Sequence, residues 1–204
     1  IAYEGSARRA SYRGDATLWQ GETAIRANVI DVDEVKGDLT ATGNARSTIA
    51  MDGGSSIAQA NTIRYVDATR AMHYSGLTDA KGATAQQARL SGPQGDLQAD
   101  RIDVVLRQGA TQMERLDAAG RVSLRVTGRT ATGATLSYAE SDGRYVMTGA
   151  GTTGISIVDG CRETVGRTLV LFKSSERVIV DGNEEARTRT KSGSGAACGP
   201  APAR

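Results

Sequence analysis

The sequence predicts an all-β protein built from stacked β-hairpins, and composition, a long repeat and strand-like alternation carry that prediction. Its 204 residues include 30 Ala, 25 Gly and 21 Thr, but one Phe and one Trp. Such a composition favours many short strands and tight turns around a thin core over a Leu-rich helix bundle. Gly, Thr and β-branched residues interrupt every candidate helix, so we expect no long helix.

A repeat of about 33 residues organises the chain. Five segments begin with Ala or Gly and carry a large apolar residue at the fourth and sixth places. They start at Ala27, Ala60, Ala99, Gly133 and Gly166, which are 33, 39, 34 and 33 residues apart. Each is followed by a second segment that closes on Gly, 16 residues after the start in four repeats and 21 in the third. The closing residues are Gly43, Gly76, Gly120, Gly149 and Gly182. A half repeat that closes on Gly14 predicts that the series begins before Ile1.

Alternation identifies each repeat as a pair of strands. Apolar residues occupy every second place, as at Ile30 and Val32 or at Val178 and Val180, which is the strand period. Turn-forming segments at 33–37, 67–70, 141–143 and 174–176 separate the two halves, so each repeat is predicted to be a hairpin. The third repeat has a longer connection, at 108–111. Further strands are predicted at 14–21, 84–90, 120–126 and 151–158.

The alternation also predicts one apolar inner face. It permits two interpretations: a filled sandwich core, or two sheets that leave an apolar groove for a lipid chain. The shortage of Phe and Trp and the even spread of apolar residues along the repeat axis favour the groove. The predicted groove residues are Ile30, Val32, Leu39, Ile63, Tyr65, Met72, Tyr74, Ile102, Val104, Leu106, Leu116, Leu136, Tyr138, Tyr145, Met147, Leu169, Leu171, Val178 and Val180. We expect the fourth-place residues of the five repeats to form the main lipid-contacting row.

Several function classes are disfavoured by what the sequence contains. A formal net charge of +2 argues against nucleic-acid binding. The longest run of large apolar residues, 169–172, is too short to span a bilayer. With one His and two Cys that form no CxxC motif, neither a His-based metal cluster nor a thiolate zinc site is expected, and no cofactor is predicted. Strict alternation places His73 and Trp19 on the outer face.

The repeated phrases resemble the OstA-like, or LptA, domain of lipopolysaccharide transport proteins. The resemblance rests on residues 14–21, 25–32 and 37–45, and recurs at 95–102 and 119–122. It extends over nearly the whole chain to about residue 190. We therefore expect one domain over residues 1–190 and a flexible C-terminal tail over 191–204.

The resemblance implies an elongated, twisted β-jellyroll with two sheets in an open V shape. It implies a periplasmic, non-catalytic protein that holds lipopolysaccharide acyl chains in an apolar groove. The implied partners are lipopolysaccharide and further copies of the same fold, joined end to end or by strand pairing to inner- and outer-membrane components. An oxidising compartment would also permit a disulfide between Cys161 and Cys198. The arginines near the start, Arg8, Arg9, Arg13 and Arg26, are expected mainly at a solvated strand edge rather than on lipid phosphates.

Two alternatives stay open at this point. A structural or adhesive repeat protein without a lipid ligand would show the same periodicity. A β-helix enzyme that degrades polysaccharides would need paired carboxylates. The candidate carboxylates are Asp31, Asp33 and Asp38, or Asp100 and Asp103, but Asp31 and Asp33 fall on the solvated face opposite Ile30 and Val32.

Overall fold

The computed structural model describes residues 2–4, 8–20, 23–51, 54–78, 82, 84–93, 95–108, 112–151, 154–175, 177–183 and 187–192. These residues form nineteen strands and one 3₁₀ turn, Asp67–Thr69. The strands are β1 (Ala2–Glu4), β2 (Arg9–Gln20), β3 (Thr23–Asp33), β4 (Asp38–Met51), β5 (Gly54–Val66), β6 (Ala71–Ser75), β7 (Leu77–Thr78), β8 (Thr84–Gln86), β9 (Ala88–Gly92), β10 (Gly95–Ala99), β11 (Arg101–Leu106), β12 (Met113–Val126), β13 (Arg129–Ala139), β14 (Arg144–Thr148), β15 (Ile155–Asp159), β16 (Arg162–Gly166), β17 (Thr168–Phe172), β18 (Val178–Asp181) and β19 (Arg189–Ser192). The all-β prediction is confirmed, while the finer jellyroll and V-shape descriptions stay predictions.

All pairings are antiparallel, and the register divides the main sheet into two series of strand segments, here called the first and second layers. The first layer consists, in order, of β1, residues 9–13, 29–33, 38–42 and 62–66, β6, β11, residues 113–119 and 135–139, β14, β17 and β18. The second layer consists of residues 16–20, 23–26, 45–51 and 54–60, β9, β10, residues 122–126 and 129–132, β15, β16 and β19. The small hairpin β7–β8 pairs only with itself among the described strands.

The glycines that close the repeats are where strands change layer. In β2, β4 and β12 the closing Gly lies inside a continuous strand, and the register shifts there between the two layers. Gly14, Gly43 and Gly120 have φ of 84°, 82° and 80°, and the residue after each also has positive φ. This is a bulge geometry that glycine adopts without steric cost. The expectation that these glycines end a hairpin strand is therefore wrong at three of the six positions, because the bulge bends the strand instead of ending it.

The small residues at the repeat starts line this corner, where the chain passes between layers. Ala27 and Ala60 are buried, and Ala99 has no exposed surface. A Cβ atom on Gly133 would lie 2.6 Å from Met147 Cγ, and one on Gly166 would lie 2.6 Å from Val180 Cγ1. The abundance of Ala and Gly thus has a structural cause, since larger side chains would force the layers apart at the corner.

The ends of the predicted hairpins are also found in the structure. Turns occupy residues 34–37, 140–143 and 173–175, and the 3₁₀ turn Asp67–Thr69 joins the two strands of the second repeat. Residues 109–111 of the predicted long connection lie outside the described residues. The last strand, β19, runs to Ser192 and so passes residue 190, the predicted end of the domain; residues 193–204 of the predicted tail lie outside the described residues.

Candidate functional site

The interior between the two layers is one apolar cluster, and it contains all nineteen residues predicted for the groove. Thirteen of them are buried and the other six, Val32, Leu39, Tyr65, Leu106, Val178 and Val180, are half-buried against the cluster. Their inward orientation follows from the strand period, because neighbouring inner residues pair across every strand of the first layer. Contact with a lipid stays a prediction.

The two rows of this interior differ in depth. The fourth-place residues Ile30, Ile63, Ile102, Leu136 and Leu169 are at most 2% exposed. In the sixth-place row, Val32 and Tyr65 are half-buried, while Val104, Tyr138 and Leu171 are buried. The fourth-place row lies next to the corner and the sixth-place row lies nearer the turns. A ligand reaching the interior from the turn side would therefore meet the sixth-place row first.

A hydrogen bond joins the two layers inside the cluster. Ser47 Oγ of β4 lies 3.3 Å from Tyr74 Oη of β6, and both side chains are buried. Tyr74 Oη also lies 3.4 Å from Met72 Sδ. Burial raises the pKa of Tyr74, so its hydroxyl stays protonated and able to donate. This polar link fixes the spacing of the layers at the N-terminal part of the interior.

A cleft, here called the mouth, opens between the layers on the side of the turns. Its volume is about 370 Å³, within the usual range of ligand pockets. The second layer contributes Gly92, Pro93, Gly95, Val126 and Thr127, and the first layer contributes Tyr145, Leu171, Phe172 and Lys173. A smaller apolar pocket of about 50 Å³ continues inward from it. The two share Tyr145 and Val126 and the inner one reaches Leu90, Leu124 and Leu136, so they form one apolar path into the interior.

Two stacked tyrosines and a lysine form the first-layer rim of the mouth. The rings of Tyr138 and Tyr145 have centroids 4.5 Å apart and planes inclined by 27°. Lys173 Nζ lies 5.9 Å from the centroid of the Tyr138 ring, within the range of a cation–π contact. Burial, with a smaller effect of Tyr138, raises the pKa of Tyr145 to about 12. The rim therefore carries one ammonium group beside two aromatic rings.

The carboxylates considered for catalysis have structural partners. Asp33 Oδ1 accepts hydrogen bonds from the backbone N–H groups of Val35 (3.2 Å) and Lys36 (3.1 Å), which lower its pKa. Asp38 Oδ1 accepts one from the backbone N–H of Asp67 at 3.1 Å. Asp31 is exposed on the outer face, as the alternation predicted.

The other two candidate carboxylates are held by basic side chains. Asp100 accepts hydrogen bonds from Gln87 and from the guanidinium of Arg121, whose Nη2 lies 2.8 Å from Oδ1. Asp103 lies 2.6 Å from His73 Nδ1 and 2.7 Å from Arg101 Nε. His73 is thus on the outer face, as expected, and half-buried beside Asp103.

The arginines near the start form ion pairs on the surface. Arg8 pairs with Glu34 at 3.9 Å and Arg9 with Asp33 at 3.5 Å. Arg26 binds Asp15 through two hydrogen bonds, and this contact lowers the pKa of Asp15. Arg13 lines an outer cleft rather than the mouth. These arginines therefore lie at a solvated strand edge, as expected.

Four further expectations concern single residues or absences. Trp19 is 74% exposed, on the outer face as predicted. Cys161 is disulfide-bonded, and its predicted partner Cys198 lies outside the described residues, so that pairing stays a prediction. Within the described residues, no group of three or more His, Cys, Asp or Glu side chains could hold a metal ion. No helix formed by these residues is long and apolar enough to cross a membrane.

The sequence reasoning did not identify Ser47, Pro93 or Lys173 as parts of the interior or its mouth. Ser47 occupies an inner position two residues before Ile49, so the strand period places it correctly once the strand is known to continue past the bulge at Gly43. Nothing in the local pattern indicates Pro93 or Lys173, because both lie at turns that come together only through the facing of the two layers.

Comparison with known proteins gives a match to a family and matches to solved structures. Residues 2–94 match the family of LptA and the LptD N-terminal domain, described as an LPS transport protein. This part of the chain is similar to the LptA/LptD N-terminal family. None of the curated proteins matches the chain.

The fold of this chain is also that of a solved structure. The crystal structure is that of LptH, the LptA-homologous periplasmic component of the lipopolysaccharide transport device of Pseudomonas aeruginosa, and it superposes with a TM-score of 0.53. The match covers 67% of this chain and 93% of LptH at 12% sequence identity, a level that shows a shared fold.

Proposed function

We propose that this LptA-like chain is a non-catalytic carrier of lipopolysaccharide in the periplasm, with the acyl chains held by its inner apolar face. The observation that carries the proposal is the continuous apolar interior with a lateral mouth, in a chain whose N-terminal half matches a family of lipopolysaccharide transport proteins. Each buried CH₂ of an acyl chain contributes about 0.8 kcal/mol, so even partial insertion of a chain gives substantial affinity.

The difference in burial between the two rows indicates which residues should contact the lipid. The fourth-place row is closed off by packing, so a lipid could reach it only if the layers separate. Val32 and Tyr65 of the sixth-place row are only half-buried, and the mouth is open on the turn side without such a movement. We expect lipid contacts to be strongest at the mouth and weaker along the fourth-place row.

Site-specific photo-crosslinking to lipopolysaccharide tests this assignment. A photoreactive side chain at Leu171, which lines the mouth, should label the lipid strongly, and one at Ile63 in the fourth-place row should label it less. The matched control is Val170, the neighbouring residue of β17 whose side chain points to the outer face, with Thr40 and Asp103 as further outer positions. Equal labelling of inner and outer positions would contradict a lipid-binding interior and favour a structural or adhesive repeat protein.

Assembly into a bridge between membranes is a further part of the proposal. At one end of the first layer β1 pairs only with β2, and at the other β18 pairs only with β17 among the described strands. Unpaired strand edges offer main-chain groups to another copy or to a partner of the same fold. Light scattering over a range of concentrations should show growth into elongated multimers; a monomer at all concentrations would contradict self-assembly.

The polysaccharide-degrading alternative finds no support in the carboxylates. A general acid at neutral pH needs a raised pKa, whereas the backbone hydrogen bonds of Asp33 lower its pKa. Asp100 and Asp103 are held in ion pairs with Arg121 and Arg101. These side chains stabilise turns and strand edges, in keeping with a carrier.

A further inference from the structure

We propose that the mouth is a lateral entry port for an anionic amphiphile, with Lys173 binding the phosphate of the headgroup while an acyl chain passes between the layers. This inference rests on the proposed function and adds to it the place of entry and the residue that recognises the headgroup.

The shape of the mouth fits the apolar part of such a ligand. Val126 and Pro93 form one side, and Leu171 and Tyr145 form the other, so an inserted chain would touch apolar atoms of both layers. The path continues inward past Leu124 and Leu136. A chain that enters here would lie against the sixth-place row.

On the second-layer side, the mouth is bordered by Gly92, Pro93 and Gly95. These small residues pack closely against their neighbours and leave the cleft of the mouth unfilled. Gly95 has φ of 138°, and a Cβ there would lie 2.2 Å from the carbonyl oxygen of Arg125. A Cβ on Gly92 would lie 2.3 Å from Ser56 Oγ. The turn around Pro93 can therefore pack tightly onto β5 and β12 only with glycine at both positions. Its compactness sets the width of the mouth.

Three arginines on this part of the surface pair with carboxylates, whereas Lys173 lies at the rim of the mouth. Arg144 pairs with Asp142 at 3.2 Å, Arg107 with Glu140 at 2.8 Å, and Arg129 with Asp159 at 2.9 Å. Lys173 forms no ion pair with a described residue, and its ammonium group lies beside the Tyr138 ring at the rim. A cation in this position, next to an apolar entrance, complements an amphiphile whose negative charge adjoins its acyl chains.

The test compares two probes that differ only in phosphate: bis-phosphorylated lipid A and the same lipid after dephosphorylation. Their affinities are measured for the wild-type chain, Lys173→Glu, Lys173→Met and the control Lys191→Glu, which changes an exposed lysine of β19. We expect Lys173→Glu to weaken binding of the phosphorylated probe about tenfold and Lys173→Met somewhat less. Binding of the dephosphorylated probe should change less than about twofold, and Lys191→Glu should affect neither.

The outcomes separate this inference from the proposed function. If the wild-type chain binds both probes but the Lys173 variants lose no selectivity for phosphate, the headgroup assignment is wrong and the carrier function stands. If the wild-type chain binds neither probe, the proposed function itself fails.

A photoreactive group at Thr127, on the opposite side of the mouth, should yield an adduct with the mass of the lipid. An adduct with a second protein chain instead would show that the mouth is a protein interface.

Discussion

The strands β2–β5 and the strands β14–β19 build the same two layers in different ways. The four N-terminal strands are 11 to 14 residues long, and each contributes a segment to both layers. The six C-terminal strands have four or five residues each, and each belongs to one layer only. In the first region the backbone itself connects the layers at the corner, whereas in the second the layers are connected by loops between separate strands.

The difference shows where the interior is closed and where it can open. In the N-terminal region, continuous strands and the Ser47–Tyr74 hydrogen bond hold the layers together. The first-layer rim of the mouth is formed by β14 and by the end of β17, and its second-layer rim comes from the chain between β9 and β13. The layers are thus held together at one end of the interior, and a cleft opens between them at the other. Four predictions test this contrast between the two regions.

The largest expected effect comes from removing a deep side chain in each region. Ile63→Ala should lower the free energy of unfolding by about 4 kcal/mol, because the connected layers cannot collapse onto the cavity. Leu169→Ala should cost about 2 kcal/mol, because the shorter strands around it can move inward. Urea denaturation measures both, and exposed Trp19→Ala should change stability by less than about 0.5 kcal/mol. Equal costs at Ile63 and Leu169 would remove the contrast in rigidity.

The corner glycines provide the next test. Gly43→Ala introduces a Cβ at φ of 82° and 2.7 Å from Asn28 Nδ2, so strain and a clash add together. We expect a loss of about 2–3 kcal/mol. The control, Gly151→Ala, has φ of 52° and open space around the new Cβ, and it should cost about 1 kcal/mol. Thermal and urea unfolding give both values, and a cost at Gly43 no greater than at Gly151 would show that the corner tolerates side chains.

The hydrogen bond between the layers should have a smaller effect. Tyr74→Phe leaves the buried Ser47 hydroxyl without its partner and should cost about 1–2 kcal/mol. The double variant Tyr74→Phe with Ser47→Ala should cost less than the sum of the single changes, since no unpaired hydroxyl stays buried. The hydroxyl of Tyr138 forms no hydrogen bond with a described residue, so Tyr138→Phe is the control. Additive costs in the double-mutant cycle would show that the two hydroxyls are not coupled.

The strand period and the repeat predicted most of this fold from the sequence. Residues at Ile30, Ile63, Ile102, Leu136 and Leu169 recur at one place of a hairpin, so their inward orientation follows from local geometry alone. The division of long strands between two layers could not be predicted in the same way. A glycine such as Gly43 can end a strand or bend it, and only pairing with strands distant in sequence decides between the two.

The apolar residues that line the interior could be predicted from the sequence, but the residues that form the mouth could not. The apolar residues of the walls follow an alternation that any strand displays, and the sequence could identify them one by one. The mouth unites Pro93, Val126 and Lys173, which come from one turn, the end of β12 and a second turn. Their meeting depends on the approach of one layer to the other, a property of the tertiary structure that no local pattern encodes.

The last prediction concerns the pH dependence of stability that arises from Tyr145 at the mouth. The pKa of Tyr145 is about 12 in the folded chain and about 10 in the unfolded one. Its contribution to stability is therefore complete below about pH 10 and is lost as pH rises through about 12, because unfolding then releases a proton. The free energy of unfolding should decline between these values, and Tyr145→Phe should reduce the decline; absorbance near 295 nm follows the ionisation directly. Because Tyr145 lies at the mouth and Tyr74 deeper inside, Tyr145 should ionise first, and simultaneous ionisation would indicate that both ends of the interior open together.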